Sequence, residues 1–150
     1  MLFRDNYDFL SNMYPCIVPI NLNNKLYKFK CAESAFQAFK NLDFIDHFVE
    51  LDGYKARRFG RTIKIKNIKL WESTKDRVMY EVVKAKFDNN PDLINRLLDI
   101  DGQIQEDNYW HDTYWGVCNG KGLNKLGNIL MHLRKVYCKD LLVRLHLYIW

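Results

Sequence analysis

The sequence predicts an α+β fold that is predominantly helical, with a short β-hairpin near its N-terminus. Three observations support this prediction. Strand-like runs are confined to residues 1–30, apolar residues recur at helical spacing from Ala32 onward, and 150 residues suffice for one hydrophobic core. We therefore expect a single compact domain over residues 1–150.

Two short apolar runs predict the strands of the hairpin. Residues 21–25 separate them and include Asn23 and Asn24, and asparagine tolerates the left-handed backbone of a tight turn. The runs are marked by Ile17, Val18 and Ile20, and by Leu26, Tyr27 and Phe29.

Four helices are predicted after the hairpin. The first begins at Ala32 and ends near Lys40, and the second begins near Ser73 or Thr74 as a cap and continues through Phe87. Pro91 suits the first turn of a third helix that ends at Asp101 and Gly102. Residues 123–136 form the last, because Leu123, Leu126, Leu130 and Leu133 define one apolar face.

Composition indicates a folded protein with anionic partners and no metal. The net charge is +5, which favours phosphates, nucleotides or nucleic acid, and 15% of residues are aromatic. The basic residues of 55–69 alternate with apolar ones, a pattern that more often marks a solvated face. The four cysteines and four histidines are dispersed, so we expect reduced thiols, no metal and no cofactor.

Targeting signals are missing from the sequence. No apolar leader is present, which favours the cytoplasm. The longest apolar stretch, residues 141–150, is far shorter than the ~20 residues that span a bilayer, so we expect no membrane association.

Two carboxylates are candidates for chemistry. Glu33 and Gln37 share one face of the first helix, so a carboxylate and an amide point together. The same pattern is typical of an ordinary solvent-facing polar side of a helix. Asp112 lies among the rings of YWHDTYWG, where burial would raise its pKa and hydrogen bonds to its charged form would lower it. Asp112 could equally cap a short helix.

A glycine-containing loop precedes the last helix. Gly116, Gly120 and Gly122 flank Lys121, and backbone amides at a helix start can hold phosphate. The spacing fits neither the P-loop nor the dinucleotide fingerprint, so a plain loop into a helix is the simpler interpretation.

Seven blocks, in this order and spacing, resemble the YbiA-like family, also called NADAR. They extend from about Phe9 to Arg134 and read FLSNMYP, AESAFQAFK, ARRFGR, WESTKDRVM, AKFDNNPDL, the run from Ile104 to Gly116, and KGLNKLGNILMHLR. Family members often carry histidine after the acidic residue, whereas Ser34 stands here. Residues 137–150 form a C-terminal extension beyond the family pattern, and we expect them to cover an apolar groove on their own domain rather than to extend the last helix or pack against another subunit.

The resemblance implies a mostly helical α+β domain with N-glycosidase activity. Family members act on a ribosylamino-pyrimidine phosphate of riboflavin biosynthesis or remove ADP-ribose from guanine, including guanine in nucleic acid. Both reactions break a bond between ribose C1 and a ring-attached nitrogen. The alternatives are a domain that binds ADP-ribose without hydrolysing it and a nucleic-acid-binding protein. The oligomeric state is left open by the sequence.

The resemblance also implies roles for individual residues. Glu33 is expected to face the ribose, with Asp112 as partner acid or ribose ligand. Rings and polar groups complete the expected site: Trp71 and Trp115 stack on the base, Asn12, Gln37, Lys40 and Asn124 make polar contacts, and Arg61 and Lys121 lie near phosphate.

Overall fold

A computed structural model describes the backbone of residues 1–149 and the side chains of residues 1–147. The elements in chain order are β1 (Val18–Leu22), β2 (Lys25–Phe29), α1 (Ala32–Ala38), α2 (Ile45–Val49), α3 (Gly53–Thr62), α4 (Ile68–Asp88), α5 (Pro91–Leu98), β3 (Asp107–Asn108), β4 (Val117–Cys118) and α6 (Lys125–Ile149). These helices and short strand pairs confirm the α+β, predominantly helical class.

The contacts within the chain group its residues into two compact units. The hairpin unit comprises Ser11–Asn90, and the C-terminal unit comprises Met1–Leu10 and the chain from Pro91 onward. The expectation of one domain over residues 1–150 stays a prediction.

The predicted hairpin is confirmed. β1 and β2 pair antiparallel, from Val18 opposite Phe29 to Leu22 opposite Lys25. Asn23 and Asn24 form the connection with φ of 50° and 64°. Two successive residues with positive φ define the type I′ turn, whose twist matches that of a two-stranded hairpin.

Helix α1 is the centre of the hairpin unit, and all seven of its residues are buried. It packs against α2, α3 and α4. The Cys31 sulfur caps the helix by accepting a hydrogen bond from the Ser34 amide at 3.4 Å. Burial raises the pKa of the Cys31 thiol to about 11. The thiol is therefore neutral at ordinary pH.

Three helical features of this unit differ from the expectation. Helices α2 and α3 were not predicted. Asp52 is the N-cap of α3, and its Oδ1 accepts from the Lys55 amide at 2.9 Å. Helix α4 begins at Ile68 rather than near Ser73 or Thr74, because the Asn67 side chain accepts from the Leu70 amide. The hydroxyls of Ser73 and Thr74 instead donate to the Leu70 carbonyl inside the helix.

The C-terminal unit is built on α5 and α6, which pack together. Pro91 occupies the first position of α5, as predicted, but the helix ends at Leu98 rather than at Asp101 and Gly102. The parallel pair β3–β4 was not predicted. Asp107 at its start binds the N-terminal ammonium group, a hydrogen bond that lowers the pKa of the carboxyl.

Helix α6 continues far beyond its predicted end. It begins at Lys125, two residues after Leu123, and extends to Ile149, so residues 137–149 lengthen the last helix. The expectation that this extension covers a groove on its own domain is wrong, because its apolar side chains between Leu141 and Leu147 are 47% to 72% exposed. Trp150 lies outside the described residues. No helix among the described residues has the length and apolarity needed to cross a membrane.

Candidate active site

Glu33 lies in the first turn of α1 and is only 6% exposed. Its amide donates to the Asn12 carbonyl at 2.9 Å, which fixes the start of the helix against the segment before β1. The expected alternative, a solvent-facing polar side of α1, is therefore wrong. Burial of an ionisable side chain is costly unless partners stabilise it, so the surroundings of Glu33 decide its role.

Two side chains hold one oxygen of the Glu33 carboxylate. Gln37 Nε2 donates to Oε1 at 2.8 Å, as expected for residues four apart on a helix. Arg57 Nε, on α3, lies 3.7 Å from the same oxygen. Among the described residues none donates a hydrogen bond to Oε2. The carboxylate is thus fixed through one oxygen, and the other has no protein donor.

Two buried acceptors near Glu33 lack a hydrogen-bond donor among the described residues. They are Asn12 Oδ1 and Gln37 Oε1. Asn12 Nδ2 makes only a weak contact with the Met79 sulfur, at 3.3 Å. A buried acceptor without a partner costs about 1–3 kcal/mol, and such groups are rare in native proteins.

Gly60 allows α3 to approach this cluster closely. A Cβ atom at position 60 would overlap Gln37 Oε1 and contact the rest of the amide. The absence of a side chain at Gly60 therefore keeps Gln37 in the orientation that reaches Glu33.

Lys40 follows α1 and brings positive charge near Glu33. Burial lowers its pKa, the charge of Glu33 raises it, and the charge of Arg61 lowers it. Arg61 itself is exposed. The structure therefore brings Asn12, Glu33, Gln37 and Lys40 together and places Arg61 beside Lys40. We call Asn12, Glu33, Gln37, Lys40 and Arg57 the Glu33 cluster.

Trp71 lies at the wall of a pocket of about 270 Å³, the Trp71 pocket, which Lys40 also lines. The indole is 7% exposed, and its ring centroid is 5.1 Å from that of Phe36 on α1. Lys66 and Asn67 add polar groups, and Leu70 and Val78 add apolar ones. This mixture can hold a flat polar ring.

Asp112 organises a loop of the C-terminal unit. Its Oδ1 accepts from the amides of Tyr114 at 3.0 Å and Trp115 at 2.9 Å. Asn108 exchanges two hydrogen bonds with the backbone of Asp112. No helix follows, so Asp112 stabilises a turn rather than capping a helix. Its role as an acid in the reaction stays a prediction.

The other expected contacts of this unit lie along the same loop. Asn124 is buried, with φ of 50°. Its side-chain Oδ1 accepts from the Glu106 backbone amide and its Nδ2 donates to the Ile104 carbonyl, both at 3.0 Å. Trp115 is half-buried and Lys121 is exposed. The first amides of α6, those of Lys125 and Leu126, donate to loop carbonyls, which leaves them unavailable to a phosphate.

Arg57 is the member of the Glu33 cluster that was not predicted from the sequence. The sequence did contain a signal for such an ion pair. Residues 53–71 include seven Lys and Arg and no Asp or Glu, so this segment could offer only basic partners to a nearby carboxylate. Which one pairs depends on how α3 packs on α1. Among the described residues, no three His, Cys, Asp or Glu side chains are grouped as a metal site would need.

Comparison with known proteins gives the family. The sequence matches the NADAR domain family over residues 2–136. The N-glycosidase YbiA of Shigella boydii is 34% identical over 135 residues, which cover 87% of this chain and 82% of that protein. The chloroplastic riboflavin biosynthesis protein PYRR of Zea mays is 44% identical over 85 residues, and the match covers 53% of this chain and 14% of that much longer protein.

The NMR structure of Escherichia coli YbiA superposes with a TM-score of 0.76 at 31% identity, covering 92% of this chain and 82% of that one. Fold and sequence together define a YbiA-like protein. The chain belongs to the NADAR domain family, as its seven sequence blocks predicted.

Proposed function

We propose that this protein hydrolyses the bond between ribose C1, in a ribose phosphate or in ADP-ribose, and a nitrogen of a guanine-like base or an aminopyrimidine. The observation that carries the proposal is the buried Glu33 carboxylate, held through one oxygen by Gln37 and Arg57 while its other oxygen has no protein donor.

The class of enzyme follows from the family and its YbiA relatives. The chain is a hydrolase that acts on N-glycosyl bonds. The identity of the sugar and of the base is the part that the proposal adds.

The chemistry requires a negative charge beside the sugar. As the C1–N bond breaks, positive charge develops on C1 and the ring oxygen, and a fixed carboxylate stabilises it. Water then adds to C1 and the leaving nitrogen takes up a proton. Glu33 is fixed in this way, and its Oε2 can face the sugar or accept a proton from the attacking water.

The remaining members of the cluster suit the sugar and its phosphate. Asn12 and Gln37 keep their expected roles as polar contacts, since the Asn12 carbonyl accepts from the Glu33 amide and the Gln37 side chain donates to the Glu33 carboxylate. Lys40 and exposed Arg61 provide positive charge for a phosphate group. The base would stack on Trp71 in the adjoining pocket. The expected roles of Asp112 as an acid and of Trp115 as a stacking ring stay predictions from the family resemblance.

The test is a product assay by mass spectrometry. The purified protein is incubated separately with the ribosylamino-pyrimidine phosphate, ADP-ribosyl guanosine and an ADP-ribosylated DNA oligonucleotide. We expect release of the free base or amine and the sugar product from at least one of them, and release that is about 10³-fold slower with the Glu33→Gln variant.

Two results would contradict the proposal. Turnover by Glu33→Gln at more than a tenth of the wild-type rate would remove Glu33 from the mechanism. Tight binding of ADP-ribose without turnover of any of the three compounds would identify a binding module instead of an enzyme.

A further inference from the structure

A second pocket in the hairpin unit lies outside the Glu33 cluster. It has a volume of about 440 Å³ and lies between β1 and α4. Residues 19–22 line it from β1 and Phe39 adds an aromatic ring. The lining from α4 comprises Thr74, Arg77, Val78, Glu81, Val82 and Ala85. We call it the β1–α4 pocket.

The pocket follows the edge of β1 rather than one of its faces. Side chains of a strand alternate between two faces, so a pocket on one face would be lined by every second residue. Here four consecutive residues line it, from Pro19 to Leu22. Because β1 pairs only with β2 among the described strands, the other edge of β1 carries peptide groups without a strand partner.

The hairpin geometry identifies these groups. Leu22 and Lys25 flank a two-residue turn and therefore bond to each other, so the peptide groups of Ile20 and Leu22 point towards β2 and those of Pro19 and Asn21 point away. The Ile17 carbonyl confirms the alternation, since it points away from β2 and accepts from Asn89 and Asn90 of the α4 end at 3.2 and 3.1 Å.

The free edge is consequently short and has a defined pattern. Proline has no amide hydrogen, so the pattern is the Pro19 carbonyl, the Asn21 amide and the Asn21 carbonyl, which read as acceptor, donor and acceptor. None of the described residues hydrogen-bonds to them. The bonds at Ile17 end the edge on one side and the turn ends it on the other. An added peptide strand needs a longer edge, whereas one heterocycle needs only two neighbouring groups.

We propose that the β1–α4 pocket binds a purine base through this edge. Adenine carries its N6 amino donor beside a ring-nitrogen acceptor, which complements the Pro19 carbonyl and the Asn21 amide. The base faces would contact Phe39 and the apolar side chains among the α4 residues, since pockets of this size that combine apolar and polar lining are typical ligand sites.

The β1–α4 pocket also adjoins the Trp71 pocket. The two share Phe39, Thr74 and Val78. If the proposed function holds, one substrate can occupy both, with its scissile base near Trp71 and a second base at β1. The site thus favours a substrate with two heterocycles over one with a single ring, and this step alone rests on the proposed function.

The test measures adenosine binding by isothermal titration calorimetry. Asn21→Pro removes a backbone amide hydrogen that points away from β2, so the hydrogen bonds of the β1–β2 ladder are preserved. Asn21→Ala is the matched control, because it removes the same side chain and keeps the amide. We expect Asn21→Pro to weaken binding about tenfold, Asn21→Ala to change it less than twofold, and N6,N6-dimethyladenosine to bind about tenfold more weakly than adenosine.

A second variant guards against a folding artefact of the proline. Ala85→Leu fills the pocket from α4 and leaves the sequence of β1 unchanged, and it should also weaken adenosine binding. Failure of adenosine to bind the wild type, or equal binding by Asn21→Pro and Asn21→Ala, would overturn the proposal. Because the assay does not involve turnover, adenosine binding without hydrolysis would refute only the proposed function.

Discussion

Replacing Glu33 by Gln removes one negative charge and almost no volume. The new side chain keeps an oxygen that can accept from Gln37, so α1 should remain packed. A unit charge about 4 Å from a developing positive charge contributes about 4 kcal/mol at an effective dielectric constant of about 20. That constant is appropriate for a side chain only 6% exposed. The expected loss is therefore about 10³-fold in kcat.

The assay is steady-state hydrolysis of whichever compound the wild type cleaves, with kcat and KM measured separately. KM should change little, because the lost interaction belongs to the transition state. Arg57 loses its partner but is partly exposed, so the melting temperature should fall only slightly. Glu50→Gln is the matched control, since this acid is exposed. If Glu33→Gln keeps more than a tenth of wild-type kcat while Glu50→Gln is unchanged, the electrostatic reasoning is wrong.

Three further changes probe the surroundings of Glu33. Asn12→Leu removes a buried acceptor without a donor, so the free energy of unfolding in urea should stay the same or rise by up to about 1 kcal/mol. The rate of hydrolysis should fall at least tenfold. Lower stability with full activity would contradict this prediction. Gly60→Ala should push the Gln37 amide away from Glu33 and thereby lower kcat. The free energy of unfolding should change by less than about 1 kcal/mol. An unchanged kcat would show that catalysis does not need the Gln37 amide. The pKa of Cys31 is raised from 9.0 to about 11, so between these pH values the folded protein keeps a proton that the unfolded chain loses. Folding is therefore favoured by about 2–3 kcal/mol below pH 9, and this contribution should disappear as the pH rises to 11. Cys31→Ser retains a capping side chain and should lack this alkaline loss when urea midpoints at pH 8 and 10.5 are compared; an identical loss in both proteins would assign it to other groups.

Local signals in the sequence predicted the elements that depend on local chemistry. The asparagine pair produced the hairpin turn, Pro91 opened α5, and α1 lies within its predicted bounds. The start of α4 was missed because Ile68 and Leu70 are exposed and outside any apolar stripe, so only the cap at Asn67 marks it.

Long-range packing decided the parts of the candidate site that the sequence left open. The spacing of Glu33 and Gln37 predicted a shared face, but not that the face is buried. The Arg57 ion pair depends on how closely α3 approaches α1, and Gly60 controls that approach through an absent side chain. The length of α6 was underestimated, because exposed leucines after Tyr137 do not continue the buried face.

The shortness of α1 couples catalysis to cooperative folding. A helix of seven residues is well below the ~12–15 residues that isolated helices need for even marginal stability, so α1 exists only while its neighbours surround it. Partial unfolding of the hairpin unit would scatter Glu33, Gln37 and Arg57 at the same moment. Enzyme activity should thus serve as a reporter of native tertiary structure, and a denaturant titration followed by turnover should coincide with one followed by near-ultraviolet circular dichroism.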